Sequence, residues 1–210
     1  MPKVVKGCYE GIRYPKALVI DGNVFNYAVS GGTRMVYFGG PDDSLAAKVM
    51  PASSSKHWRV GWDQNDVERN ALETLAMRLS YTPRVIFAGD VEFVNTWGEQ
   101  DVMNVLVVER LGSDLEAAKS YMTPRQYCCA YSSVFKSMQA MASCGVSVPD
   151  PHPYNCSVLA PGQLHAIPCD FGGRHCESKE THSLNERIFF PIDNLPGQRA
   201  AGDVPVFPQP

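Results

Sequence analysis

The sequence predicts an α+β fold, with an antiparallel sheet carrying one helix in its first half and a mainly helical second half. Two patterns predict it. Short apolar runs, each closed by glycine or a polar turn, fill residues 17–50 and resume at 84–108. Two other stretches, 63–79 and 123–143, repeat their apolar residues at helical spacing.

Taken in order, Ala17 to Ile20, Val24 to Val29, Arg34 to Phe38 and Ser44 to Met50 read as an antiparallel meander. Residues 51–62 form a loop, and Asp63 to Asp66 supply the capping side chains of a helix start. Val67, Ala71, Leu72, Leu75 and Leu79 make its apolar stripe. Arg84 to Phe93 and Met103 to Val108 follow as strands. With the Lys48-bearing run taken as the third strand, so that one of the four runs is left uncounted, the pattern reads as three strands, a helix and two strands, a five-stranded sheet.

Thr123 and Pro124 read as N-cap and first helical residue, with Gln126 in capping-box position. That helix should run to about Ser143 and end at Gly145. Its apolar face is Tyr127, Tyr131, Val134, Phe135, Met138 and Met141, a stripe read as core packing. From Arg174 onward the chain turns polar and then rich in proline and glycine, an extended tail.

Composition narrows the function classes. A hydrophobic fraction of 44% suits a packed globular core. The net charge of −3 gives no general reason to expect nucleic acid. No run approaches the length of a membrane span and the N-terminus has no signal-peptide pattern, so a soluble, cytoplasmic protein is expected. The seven cysteines form no CxxC pair, which fits reduced thiols. His165, Cys169, His175, Cys176 and His182 match no common zinc spacing.

The chemistry-bearing stretch is Val148-Pro149-Asp150-Pro151-His152-Pro153-Tyr154-Asn155, followed by Asp170-Phe171-Gly172. Upstream stand Leu45-Ala46-Ala47-Lys48, then Glu68 on the first helix with Glu73 as the alternative, then Glu109-Arg110-Leu111-Gly112. In this order the motifs resemble those of the protein-kinase-like superfamily, and most resemble the casein-kinase-1-like and vaccinia-related kinases. The resemblance covers roughly residues 18–173.

It implies a bilobal fold: an N-lobe at 1–108, a hinge at 109–112, a reduced, mainly helical C-lobe at 113–175 and a tail at 176–210. By the same resemblance ATP and Mg2+ are the expected cofactors. Lys48, paired with Glu68, would grip phosphates, and Gly22, Ala46, Glu109 and Leu111 would line the nucleotide site. Asp150 would be the catalytic base, with His152 beside it, and Asn155 and Asp170 would hold the metal. The implied activity is transfer of the ATP γ-phosphoryl group to a protein Ser/Thr hydroxyl. The alternative is a truncated pseudokinase that binds a kinase or a kinase partner.

The chain departs from the family pattern in named places. The first hairpin, Asp21 to Val29, offers one glycine where the family has three. Val148-Pro149 replace the His-Arg before the catalytic Asp, His152 stands where serine/threonine kinases carry a lysine, and Ser157 replaces an apolar floor of the adenine pocket. No Ala-Pro-Glu follows Gly172. Without the helices that complete the larger lobe, the helix at 124–143 is expected to expose apolar side chains, covered by the tail, a partner protein or a second copy in a homodimer.

Overall fold

The computed structural model describes residues 14–31, 33–58, 63–94, 98–148, 150–160 and 162–172. It is an α+β molecule with a six-stranded antiparallel sheet on one side and a smaller helical part on the other. The strands are β1 (Ala17–Ile20), β2 (Asn23–Ser30), β3 (Met35–Gly39), β4 (Leu45–Pro51), β5 (Val85–Val94) and β6 (Gln100–Glu109). Their spatial order is β1-β2-β3-β4-β6-β5.

The sheet has six strands rather than the expected five, because all four apolar runs of residues 17–50, Ala17–Ile20 among them, form separate strands. Asp21 and Gly22 take positive φ values of 48° and 75°, the two-residue hairpin geometry whose twist matches paired strands. Leu18 and Ile20 then point into the core while Val19 stays exposed. Gly39 on β3 has no room for a side chain: a Cβ there would lie 2.0 Å from the Val24 carbonyl oxygen. Only glycine lets β2 and β3 approach this closely.

One face of the sheet buries Phe25, Met35, Tyr37, Val49, Met103, Val105 and Val107 as a first core. The other face carries α1 (Gln64–Ala76), which seats Ala71, Leu72 and Leu75 against Leu106, Val108 and Phe171. The helix starts where expected. Asp63 is its N-cap, and its carboxylate accepts the Asp66 N–H at 2.9 Å.

Beyond β6 come α2 (Leu115–Ala118), α3 (Pro124–Ser143) and a small hairpin, β7 (Cys156–Val158) with β8 (Ala166–Pro168). The capping box on α3 is formed in both directions: Thr123 N–H donates to Gln126 Oε1 at 2.9 Å, and Gln126 N–H to Thr123 Oγ1 at 3.3 Å.

The expectation of an exposed apolar face on this helix is corrected. Tyr127, Val134 and Met141 are fully buried and Met138 nearly so. The β7–β8 hairpin and α2 cover most of that stripe with Cys156, Val158, Ala166, Leu115 and Ala118. Tyr131 and Phe135 remain half-buried. The tail segment 176–210 lies outside the described residues, as do His175, Cys176 and His182. Cys128, Cys129, Cys144, Cys156 and Cys169 are free thiols. Among the described residues no helix is long and apolar enough to cross a membrane.

Candidate functional site

A cavity of about 520 Å³ opens between the sheet and the helical part. That volume falls within the usual range for small-molecule sites. Val36, Ala46 and Val108 form apolar wall, residues 109–114 form one side, and Lys48, Glu68, Arg34 and Asp170 gather at the polar end.

The strand pairing brings Lys48 there. Lys48 on β4 sits between Val36 of β3 and Leu106 of β6, which fixes the face toward which its side chain leaves the sheet. Helix α1 crosses behind and presents Glu68, 1% exposed, to it. Lys48 Nζ donates to Glu68 Oε1 at 2.5 Å and to the Cys169 carbonyl oxygen at 2.6 Å. Of the two candidate glutamates, Glu73 is exposed. The pairing therefore falls to Glu68.

Arg34 was not among the candidates, yet it dominates the polar end. Its guanidinium is 6% exposed and donates through Nη1 to Glu68 Oε2 at 2.6 Å and to Asn65 Oδ1 at 3.2 Å. Through Nη2 it forms an ion pair with Asp170 Oδ1. Two cations and two carboxylates thus share one pocket. Asn65 Nδ2 in turn donates to the Lys48 and Asn104 carbonyl oxygens at 3.0 and 3.1 Å, which pins the start of α1 to the sheet.

Arg34 and Asp170 stay charged. Burial works against the Arg34 guanidinium, but Asp170 and Glu68 outweigh it and raise its pKa above the ordinary value. For Asp170, burial favours the neutral acid, yet Arg34, Lys48 and the Gly172 N–H, 3.0 Å away, bring its pKa down to about 2. Burial likewise pushes the Cys169 thiol up, against the opposing effects of Lys48 and Ser157.

Phe171 is wholly buried between α1 and the sheet with Leu72, Leu75 and Ile167. Burying such a side chain contributes about 1.5–3 kcal/mol. It thereby anchors the turn that holds Asp170 in the cavity. Gly172 is small for a visible reason, since a Cβ there would stand 2.9 Å from Arg34 Nη2.

Residues 109–113 behave as a connecting strip. Arg110 N–H donates to the Ser44 carbonyl at 2.8 Å and Gly112 N–H to the Val158 carbonyl at 2.8 Å. Between them, the Leu111 N–H has no protein acceptor among the described residues, and Leu111 lines the cavity. Glu109 also lines it, while its carboxylate is held by Arg84 Nε at 2.6 Å.

The remaining candidates divide. Asn155 and Ser157 line the cavity; Asp150, His152 and Gly22 are not among its lining residues. Asp150 is exposed, and its carbonyl and carboxylate oxygens accept Asn155 Nδ2 at 3.2 and 3.4 Å. His152 caps a short 3-10 turn through its ring nitrogen and stacks on Tyr154, its ring centroid 5.2 Å from that of Tyr154.

Gly22 sits in the β1–β2 turn with open space around it. The hairpin that overhangs the cavity is the next one: Ser30, Gly31, Thr33 and Arg34 line it. The extra first strand explains the displacement. The sequence at this turn, Ser30-Gly31-Gly32-Thr33, carries two glycines.

Asp170 Oδ1 accepts from Arg34 and from Gly172 N–H, and Asn155 donates through Nδ2 to Asp150, so Asp170 Oδ2 and Asn155 Oδ1 are the oxygens that would be left to hold a magnesium ion. A guanidinium keeps its proton in proteins, so a dication at Asp170 would face a fixed positive charge. No cluster of three or more metal-ligating side chains occurs among the described residues.

Comparison with protein-family models and with curated proteins finds no match to this chain.

Proposed function

We propose that the chain is a nucleotide-binding module of protein-kinase-like design, which takes an adenine nucleotide in this cavity and acts by binding rather than by phosphoryl transfer. The observation that carries it is the Lys48–Glu68 pair at 2.5 Å at the polar end, with the Leu111 N–H offered from the strip 109–113 at the other. In this reading the adenine ring would lie among Val36, Ala46, Leu111 and Ser157, which line the cavity, and the nucleotide's phosphates would lie toward Lys48. Binding is favoured over transfer because Asp150 is exposed and off the cavity wall, and the Asp170 carboxylate is already paired. A kinase, or a protein that a kinase binds, is the proposed macromolecular partner.

Displacement of a fluorescent ATP analogue by ATP and by adenosine tests the reading. Leu111→Pro removes the N–H without breaking a hydrogen bond within the described residues. It should weaken both competitors about two- to tenfold, the worth of one net hydrogen bond. An unchanged displacement curve, or a wild type that binds neither competitor, refutes it.

A second reading, a minimal protein kinase with Asp150 as base, rests on the contact of Asp150 with Asn155, which lines the cavity. It requires that label from γ-labelled ATP reach a protein hydroxyl with the wild type and fail to do so with Asp150→Ala.

A further inference from the structure

Arg34 is the group that the kinase-like pattern does not explain. It comes from the hairpin above the cavity, its guanidinium is buried, and it meets Asp170 across 136 residues of sequence. We propose that this site binds the phosphates of a nucleoside di- or triphosphate without a divalent cation, the Arg34 guanidinium standing where a metal would otherwise bridge phosphate and Asp170. The inference rests on the nucleotide-binding reading above and names how its polar end works.

The donor inventory supports it. A guanidinium has five N–H donors and an ammonium three. Among the described residues Arg34 spends donors on Glu68, Asn65 and Asp170, and Lys48 spends donors on Glu68 and the Cys169 carbonyl. Two N–H groups of Arg34 and one of Lys48 are left, and both side chains line the cavity. Three donors on two permanent cations form a phosphate clamp without further ligands.

Charge and rigidity agree. Arg34 and Lys48 balance Glu68 and Asp170 in charge, while the surplus donors attract an anion. The guanidinium is held in place rather than swinging free. Asn65 accepts from it, Thr33 Oγ1 donates to Gln64 Oε1 at 2.7 Å, and Gly172 leaves the space it fills. Preorganised donors lose little entropy on binding.

The test measures binding of ATP, ADP and adenosine to the full chain by calorimetry, in EDTA and in magnesium. ATP should bind equally well in both, within about twofold, and in EDTA about tenfold or more tighter than adenosine, as charged hydrogen bonds to phosphate require. Arg34→Gln should bring ATP down toward adenosine. ATP binding that appears only with magnesium and vanishes in Asp170→Asn overturns the proposal and leaves the nucleotide reading standing. So does adenosine matching ATP in EDTA. If neither ligand binds in either buffer, both readings fall together.

Discussion

Removing the charge of Glu68 tests the buried ion cluster most directly. Its carboxylate is 1% exposed and joins two cations, Lys48 and Arg34, whose side chains are 12% and 6% exposed. Glu68→Gln keeps the shape, removes the negative charge and leaves Lys48 without a carboxylate partner among the described residues. Breaking a buried pair by removing one partner costs about 3–5 kcal/mol, because the other charge is left uncompensated. For a chain of this size each kcal/mol moves the melting temperature about 2–4 °C, so a fall of about 6–20 °C is expected. Urea and thermal unfolding followed by circular dichroism measure it. The companion is Lys48→Met with Glu68→Gln: removing the stranded cation should return at least about 1 kcal/mol relative to the sum of the single changes. A loss below about 1 kcal/mol for Glu68→Gln, or strict additivity in the double variant, would refute the claim that these charges act as one buried unit.

Acid unfolding should report Asp170. Its folded pKa of about 2 lies below the unfolded value of about 3.9, so its contribution to stability is complete above about pH 4 and drains away as pH falls toward 2. The stability gap between wild type and Asp170→Asn should therefore close across that window, and a gap that persists at pH 2 contradicts the assignment. Gly172→Ala places a methyl 2.9 Å from Arg34 Nη2 and 3.2 Å from Gln64 Cβ, and should cost about 1–3 kcal/mol in unfolding experiments while weakening the Arg34–Asp170 contact. An unaltered midpoint would show that Arg34 yields freely. Thr123→Ala removes one half of the capping box on α3 and should lose about 0.5–2 kcal/mol by the same assay.

Local chemistry alone determined several elements. The Asp63 cap, the Thr123–Gln126 box, the stop at Gly145 and the stripe of Ala71, Leu72 and Leu75 each depend on residues within a turn or two of one another, so the chain order carries them. The pairing of Lys48 with Glu68, 20 residues away, was not local: it was expected only from the resemblance of the motif order to the protein-kinase-like pattern. The number of strands was not legible in the same way: the run Ala17 to Ile20 is plain in the sequence, but four residues become a separate strand only by pairing with β2, and the hairpin that reaches the cavity is β2–β3 rather than β1–β2.

What only the tertiary structure decided lies in contacts between distant segments. The β7–β8 hairpin and α2 cover most of the helix face that was expected to need a partner, and no periodicity within α3 could announce that cover. Arg34 is the clearest case. As sequence it opens a short strand like any surface cation; folded, it sits between Glu68 and Asp170 with its charge buried. A side chain is a clamp or a solvated surface group according to what the rest of the chain brings within 3 Å of it, and here that depended on the sheet register, the position of α1 and the missing side chain of Gly172 acting together.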